Sequence, residues 1–317
     1  KNIKMKRNLL TSAALLGVML LNSCEEPKKI ETKEEPYSTI STVGDSLYIL
    51  TYGGLQARVD VKNGGRLEAL SLNGENILSG KDVNSNNWGT SLWPSPQSAW
   101  GWPPSQQLDN LPYAVISDPT EIIIRSQKDP KQGFVFNKTY KIDVKDTSLQ
   151  ITYLIINESE VSQKVAAWEI SRVAPGGLTF YPSGEESKRG LLAPLTKDSA
   201  DVTWFEYNME TIPEGVPKLL SDGKEGWMAQ VSNGLLMVKS FEDVPTGKYA
   251  PEEGEIEMYA NPDHSYIEIE QQGKYVELKA KEELKYIVTY KLVKLPSTVA
   301  VKIGDTELLK IARSMKK

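Results

Sequence analysis

The sequence predicts an all-β protein that folds as one large antiparallel sandwich. Apolar and polar residues alternate along most of the chain, which is the pattern of half-buried strands. Turn dipeptides such as Asn-Gly separate these runs at short intervals. About a dozen or more short strands joined by tight turns are typical of large sandwiches rather than of α/β folds. No repeat with a fixed period is present.

The strands follow one another from residue 47 onward. The clearest hairpin signal is Asn233-Gly234 between two apolar runs, and Asn73-Gly74 is a second turn of the same kind. Four further strands are predicted between residues 254 and 295. Only the last segment, Thr306 to Lys317, has helical periodicity, with Asp305 or Thr306 as its cap. We therefore expect one short C-terminal helix.

Residues 1–23 have the features of a lipoprotein signal peptide. A basic start precedes an apolar run from Leu9 to Leu21, which is shorter than a comfortable membrane span. The run ends in Leu-Asn-Ser-Cys, which resembles a bacterial lipobox and predicts lipidation of Cys24. This is the only cysteine, so an internal disulfide is excluded and a cysteine metal site is disfavoured. The alternative is an ordinary signal peptide with an incidental cysteine.

The next segment, residues 24–45, is charged and contains proline, so it predicts a flexible tether. Acidic residues directly after the cysteine resemble the surface-export signals of Bacteroidetes lipoproteins. We expect a lipid-anchored protein of the bacterial outer membrane or cell envelope, facing the periplasm or the outside. Residues 46–317 contain no linker composition and are predicted to form a single domain and a monomer.

Charge limits the possible partners. The chain has 37 basic and 42 acidic residues, a formal net charge of −5, and no basic patch. Nucleic acid is therefore excluded as an expected partner, and contact with a membrane is expected only through the lipid anchor.

A tryptophan-rich segment, Asn86 to Pro104, contains four of the seven tryptophans and four prolines. Proline is unfavourable inside helices and central strands, so this segment is predicted to be an irregular surface loop. Trp88, Trp100 and Trp102 are candidates for an aromatic wall against a planar or sugar-like ligand, whereas Trp93 is predicted to be structural. The alternative is a loop held in place by buried indoles.

Two neighbouring strands are acidic on one face. Glu255 and Glu257 alternate with apolar residues in the first, and Glu268 and Glu270 do so in the second, where Tyr266 lies on the same face. A short turn joins the strands, so the acidic faces are predicted to lie side by side. The candidate roles are acceptors for sugar hydroxyls, a general base, or ligands of a hard cation such as calcium. The alternative is a solvated face.

The strand around Trp168 mixes charged and apolar residues. Alternation places Glu169 and Ser171 on one side and Trp168 and Arg172 on the other. Glu169 and Arg172 are candidate ligand-binding residues, and Tyr181 in the following segment is predicted to reach the same opening. The alternative is a structural ion pair.

Catalytic motifs are scarce. The only histidine, His264, lies in a predicted turn, so a Ser-His-Asp triad would have to use it. The chain contains no G-x-S-x-G, no H-E-x-x-H, no G-x-G-x-x-G and no P-loop. No cofactor is predicted, and calcium is the one metal considered.

The order of several segments resembles that of the DUF4380 family, within the galactose mutarotase-like β-supersandwich class. These segments are GGRLEALSLNGENIL, WGTSLWPSPQ, AAWEISRVAPGGLTFYP, GWMAQVSNGLLMVKSF and EMYANPDHSYIEIEQQGKYVELKAKEELKYIVTYKL. The resemblance extends from Leu55 to Leu295. It implies two large antiparallel sheets with a concave face that binds carbohydrate in relatives, some of which are epimerases, lyases or hydrolases.

The resemblance also implies a limit. Aldose 1-epimerases of this class use two histidines and a glutamate base, and this chain has one histidine. Glu268, Glu270 or Glu169 fills only the glutamate position, so the two-histidine mechanism is not expected. We expect an anchored carbohydrate-binding protein. The alternatives are a sugar-active enzyme, an epimerase or lyase that uses Glu, Tyr181 and Arg172, or a structural envelope lipoprotein.

Overall fold

The computed structural model describes residues 37–116 and 118–317. The first eleven strands are β1 (Thr39–Val43), β2 (Leu47–Tyr52), β3 (Leu55–Asp60), β4 (Arg66–Leu72), β5 (Glu75–Asn76), β6 (Thr90–Ser95), β7 (Ala114–Val115), β8 (Ile122–Arg125), β9 (Phe134–Asp143), β10 (Ser148–Asn157) and β11 (Gln163–Val173). The remaining strands are β12 (Leu178–Pro182), β13 (Lys197–Ser199), β14 (Val202–Glu206), β15 (Lys218–Ser221), β16 (Trp227–Ser232), β17 (Leu235–Ser240), β18 (Ile256–Ala260), β19 (Ile267–Gln272), β20 (Val276–Leu278) and β21 (Glu283–Lys294). The two α-helices are α1 (Gln106–Asp109) and α2 (Thr306–Met315).

These strands form two antiparallel sheets. The larger sheet has 11 strands in the order β1-β2-β3-β4-β6-β11-β19-β18-β15, with β5 paired to β4 and β20 paired to β11. The smaller sheet has 10 strands in the order β13-β14-β12-β16-β17-β21-β10-β9-β8-β7. The predicted all-β antiparallel supersandwich is therefore confirmed.

The main core lies between the sheets because alternate residues of each strand point inward. In β10, Leu149, Ile151 and Ile155 are buried, and they pack with Ile267 and Ile269 of β19 in one cluster. Full burial of each such side chain contributes roughly 1.5–3 kcal/mol. This inward-facing set fixes the register of both sheets, since a slip of one residue would turn it toward solvent.

Helix α2 forms a second, smaller core on the smaller sheet. Its side chains Leu308 and Ala312 pack in one cluster with Phe180 and Trp204. The carboxylate of Asp305 accepts a hydrogen bond of 2.9 Å from the backbone N–H of Leu308, as an N-cap does. The predicted C-terminal helix and its cap are confirmed.

The folded part begins earlier than the sequence analysis predicted. Residues 39–43, which were assigned to the tether, form β1 and pair with β2 from Thr39↔Thr51 to Val43↔Leu47. The boundary at Ser46 was wrong, because four β-branched residues in the run TISTV favour a strand despite the charged sequence before it. Cys24, the signal peptide and most of the tether lie outside the described residues. Among the described helices, none combines the length and the hydropathy required to cross a membrane.

The tryptophan-rich segment is also more regular than predicted. Its first half forms β6, an inner strand of the larger sheet that pairs with β11 along its whole length. The exclusion of a central strand was wrong because β6 pairs with β4 at a single position, Leu67↔Thr90. Pro94 therefore lies beside an edge of β6 that makes few ladder contacts, where a missing N–H costs little. The second half of the segment remains irregular.

Candidate functional site

The candidate site lies on the face of the larger sheet that is turned away from the smaller one. Trp93 of β6 lies directly opposite Trp168 of β11, and the two ring centroids are 5.3 Å apart at an interplanar angle of 81°. The next residue along β11, Glu169, points the other way and reaches Tyr290 of the smaller sheet. Strand alternation thus separates an outer aromatic face from an inner polar one, as predicted for this strand.

Trp93 is held by a buried ion pair. Its indole Nε1 donates a hydrogen bond of 2.9 Å to Oδ1 of Asp109, and Oδ2 of Asp109 accepts one of 2.7 Å from Arg66. Arg66 and Asp109 are 1% and 4% exposed, so neither charge is screened by water. Asp109 is the last residue of α1, a helix that the sequence analysis did not predict because it has only one turn.

Two further indoles pack edge-on against Trp93. The centroid of Trp100 is 5.9 Å away and that of Trp102 is 5.8 Å away, at angles of 69° and 77°. Trp100 is fixed by a hydrogen bond of 2.6 Å from its Nε1 to the carbonyl of Pro94. Trp102 is 59% exposed, which is unusual for a large aromatic side chain and points to a contact surface.

The acidic strands reach the same face. In the β18–β19 pair, Glu257 lies opposite Glu270 and Tyr259 lies opposite Glu268. The prediction that the acidic faces lie side by side is confirmed. The alternative of a solvated face is wrong, since Glu257 is 0% exposed and Glu270 is 1% exposed. Glu268, at 8%, is the most accessible of the three.

A lysine and an indole compensate for this buried negative charge. The ammonium of Lys218, on β15, lies 2.5 Å from Glu257 and 4.7 Å from the centroid of the Trp168 ring. The indole Nε1 of Trp168 donates a hydrogen bond of 2.7 Å to Oε2 of Glu270. Nothing in the sequence around Lys218 marked it as a site residue, because its role depends on the pairing of β15 with β18.

Burial changes the acidity of these groups. It raises the pKa of Glu270 to about 7, although the charge of Lys218 acts in the opposite direction. Burial also raises the pKa of Glu257 well above its ordinary value. Burial lowers the pKa of Lys218, but the attraction of Glu270 and Glu257 is larger in sum, so that pKa is raised overall. Lys218 is therefore a stable cation at neutral pH.

Arg172 holds the remaining carboxylate. Its Nε donates a hydrogen bond of 2.8 Å to Oε1 of Glu268, and its Nη1 donates one of 2.7 Å to the hydroxyl of Ser91. The guanidinium also lies 5.2 Å from the centroid of Trp93. Arg172 is 0% exposed, so it positions Glu268 and Trp93 from beneath.

These side chains surround a groove of about 280 Å³. The lining residues are Asn87, Trp93, Gln97, Trp102, Trp168, Val216, Lys218, Tyr259, Asn261, Tyr266 and Glu268. The volume is near the lower end of the range for small-molecule sites, roughly 300 Å³. Three indoles supply flat apolar surfaces, and hydroxyl, amide and charged groups supply hydrogen bonds. Trp93, predicted to be structural, is buried yet is central to the groove.

Of the eight predicted ligand-binding residues, only Trp102 and Glu268 line this groove, whereas Arg172 and Glu270 form hydrogen bonds to lining residues without lining it. Trp88 is 2% exposed, and its ring lies under the guanidinium of Arg66 at 5.0 Å. Tyr181 is 1% exposed and belongs to β12 of the smaller sheet, so it does not reach the opening that was predicted for it. Trp100 borders a neighbouring cavity instead.

Glu169 also lies elsewhere, between the sheets. Its carboxylate is 2.6 Å from the ammonium of Lys239 and accepts hydrogen bonds from Tyr153, Tyr290 and Gln271. Glu169 is therefore part of a structural ion pair, the alternative to a ligand-binding role. Arg172, on the opposite face of the same strand, lies beneath the groove and holds Glu268 without lining the groove itself.

The remaining candidates contribute no recognisable catalytic set. His264 lies in the turn between β18 and β19, where its Nδ1 is 3.1 Å from the hydroxyl of Tyr207. It is not among the residues that line the groove. Within residues 37–116 and 118–317, no group of three or more His, Cys, Asp or Glu is arranged to hold a metal ion. The acidic strands therefore do not form the calcium site considered from the sequence.

Comparison with known families and structures agrees with this architecture. Residues 95–292 match the model of the family DUF4380, described as a domain of unknown function. No curated protein matches the chain.

Among solved structures, a galactose mutarotase-like protein from Clostridium acetobutylicum superposes with a TM-score of 0.54 at 11% identity, over 82% of this chain and 99% of that one. A galactose mutarotase-like protein from Lactobacillus casei gives 0.55 at 13% identity, over 78% and 100%. A TPR-domain containing protein from Parabacteroides distasonis gives 0.56 at 12% identity, over 81% of this chain and 49% of that one. These identities establish a shared fold alone.

Proposed function

Because the chain belongs to the DUF4380 family, we propose that it uses its galactose mutarotase-like fold to bind carbohydrate in the groove beneath the tryptophan-rich segment. One observation supports this most directly. Three indoles, from Trp93, Trp102 and Trp168, line one groove together with Lys218 and Glu268. Sugars combine flat C–H faces with a rim of hydroxyls, and this groove offers surfaces for both.

The charges of the groove favour a neutral sugar. Lys218 is paired with Glu257, and Glu268 is paired with Arg172, at 2.5 and 2.8 Å. Each charge that a ligand would meet is therefore compensated within the protein. A neutral hydroxyl can accept from Lys218 and donate to Glu268 without breaking either pair, whereas a charged ligand would leave one partner unpaired.

Substitution of Trp102 tests directly whether the groove binds the ligand. Because its side chain is largely exposed and packs only at one edge, Trp102→Ala removes a stacking surface with little effect on folding. A glycan array selects the ligand, and calorimetry then measures its affinity. We expect Trp102→Ala to weaken binding by about tenfold or more, equivalent to ~1.4 kcal/mol.

Tyr37→Ala is the matched control, since Tyr37 is 52% exposed and does not line the groove. It should bind like the unaltered protein. The absence of binding to every glycan on the array would overturn the proposal. Equal losses in the two variants would assign binding to another surface.

A sugar-active enzyme is the second candidate, and the carboxyl of Glu270 is the observation that favours it. Its pKa of about 7 is suited to general acid–base work at neutral pH. The hydroxyl of Tyr259, opposite Glu268 on the groove side of β18, is a second proton-transfer group and lines the groove, whereas Glu270 contacts the groove through the indole of Trp168. NMR measurement of the rate of anomer exchange in aldoses tests this. If the unaltered protein and Glu270→Gln give the same rate, the proposal of an enzyme that uses Glu270 is wrong.

We also propose that Cys24 is the lipid-anchored residue of a cell-envelope lipoprotein. The supporting observation is the sequence Leu-Asn-Ser-Cys after an apolar run. Metabolic labelling with an alkyne fatty acid in a bacterial host should label the protein but not Cys24→Ser. Equal labelling of the two would contradict the anchor.

A further inference from the structure

Trp93 is a wall of two cavities. Besides the groove, it borders a second cavity of about 170 Å³ together with Trp100, Pro103 and Pro104. Liquid water occupies about 30 Å³ per molecule, so this space is several waters in size and admits a single small ring. It lies within the tryptophan-rich segment and next to the loop at Asp129.

Two other indoles of the segment, those of Trp100 and Trp102, are divided between these cavities. Trp100 lines the second cavity, whereas Trp102 lines the groove. Only Gly101 separates them in sequence, and its φ of +75° lets the chain reverse between the two rings. Both rings contact Trp93 edge-on at nearly equal distances, 5.9 and 5.8 Å. The three indoles therefore form one continuous aromatic unit that borders both spaces.

The second cavity has the same mixed chemistry as the groove. Ring surfaces of Trp100 and of prolines form its apolar side, and Gln107, Lys131 and Gln132 lie on its polar side. Asp129 is already satisfied, since it accepts hydrogen bonds of 2.7 Å from Ser105 and 2.6 Å from the backbone of Gln132. A neutral ring can therefore enter the cavity without breaking the hydrogen bonds of this carboxylate.

We propose that the ligand is an oligosaccharide. One of its sugar units occupies the groove, a neighbouring unit occupies the second cavity, and Trp93 borders both units. This rests on the proposed function and extends it from a single sugar to a chain. Once one sugar unit is bound in the groove, binding of the neighbouring unit in the second cavity is intramolecular. Affinity therefore rises with chain length. The aromatic unit of Trp93, Trp100 and Trp102 then lies between the two bound sugar units.

Length-dependent binding tests this inference. The probes are neutral ladders of cellulose, xylan, mannan and starch type, each from the monosaccharide to the hexasaccharide, measured by calorimetry on the folded chain. We expect affinity to rise by about tenfold or more between the monosaccharide and the trisaccharide of the preferred ladder. Longer chains should add little, because the two cavities are then filled.

Variants assign the gain to the second cavity. Trp100→Ala and Gln107→Ala should each reduce the trisaccharide-to-monosaccharide affinity ratio toward one, and Gln107→Ala does so without touching the indoles. Trp102→Ala should weaken every length and preserve the ratio. Equal affinity for all lengths would overturn the two-subsite ligand while leaving the proposed function in place. Absence of binding at every length would overturn both.

Discussion

Lys218 is the single residue on which the charge balance of the groove depends. It lies between two buried carboxyls, those of Glu257 and Glu270, and its ammonium also faces the ring of Trp168. A lone buried carboxylate would be costly, and one cation cannot fully compensate for two. Burial raises the pKa of both carboxyls, and the charge of Lys218 offsets this only in part.

Stability should therefore fall as pH rises through the slightly acidic range. The pKa of Glu270 rises from 4.5 to about 7 on folding, so the folded state holds a proton that the unfolded state has released. Unfolding then releases a proton, and the free energy of unfolding decreases with pH by up to about 1.4 kcal/mol per pH unit. The full contribution of Glu270 is present below pH 4.5 and is lost above pH 7.

Glu270→Gln tests the predicted decrease of the free energy of unfolding with rising pH. The amide keeps an acceptor for the indole of Trp168 but does not titrate. We expect the loss of stability between about pH 5 and about pH 7 to shrink by at least about 1 kcal/mol, measured by urea unfolding. Glu214→Gln, at an exposed carboxyl, should keep the slope of the unaltered protein. A slope that is identical in all three proteins would rule out Glu270 as its source.

At the scale of elements, strand β6 is held on one side by its ladder with β11 and on the other side by a contact from helix α1. The carboxylate of Asp109 joins the indole of Trp93 to the guanidinium of Arg66. β6 pairs with β4 at a single position, so this contact substitutes for a missing ladder between the two strands. The aromatic unit of Trp93, Trp100 and Trp102 depends on it for its orientation.

Asp109→Ala should accordingly be among the most damaging single changes at this site. It leaves the buried Arg66 without its partner, which costs about 3–5 kcal/mol. Urea unfolding measures this loss, and the affinity for the glycan should fall with it as Trp93 loses its anchor. Asp45→Ala breaks an exposed pair with Lys62 and should change stability little. Similar midpoints for the two variants would contradict the structural role of Asp109.

Sequence periodicity was sufficient to predict elements whose two faces differ in polarity. Alternation in β18 and β19 predicted both the apolar inner face and the adjacent acidic rows, because the pairing follows from one short turn. It failed for β6, where proline argued against a strand and only the open edge beside β4 makes one possible. It also gave no sign of Lys218, because residues 218 and 257 meet only through the β15–β18 pairing.

At the scale of the whole molecule, a buried polar cluster joins the two sheets. Glu169 of the larger sheet and Lys239 of the smaller sheet are both 0% exposed and lie 2.6 Å apart. Tyr153 and Tyr290 donate hydrogen bonds to the same carboxylate. Burial lowers the pKa of Lys239, and the charge of Glu169 acts against this. The pair therefore fixes how the sheets stack, since a shifted packing would leave both charges unpaired.

Lys239→Met should destabilise the protein by about 3–5 kcal/mol, because Glu169 becomes an unpaired buried charge. Adding Glu169→Gln should restore part of that loss, since the amide removes the charge and still accepts from a tyrosine. Urea unfolding of the two single variants and the double variant measures the coupling. Additive effects would show that the two residues stabilise the sandwich independently.

The aromatic unit at β6 also provides an intrinsic fluorescence signal for ligand binding. Of the seven tryptophans, only Trp102 is exposed, and it contacts Trp93, which in turn contacts Trp100 and Trp168. Excitation energy passes readily between indoles in contact, so light absorbed by the cluster can be emitted from the ring that faces water. A sugar that covers Trp102 would shift that emission to shorter wavelength. Ligand binding can thus be screened by the wavelength of the intrinsic tryptophan emission, without a label.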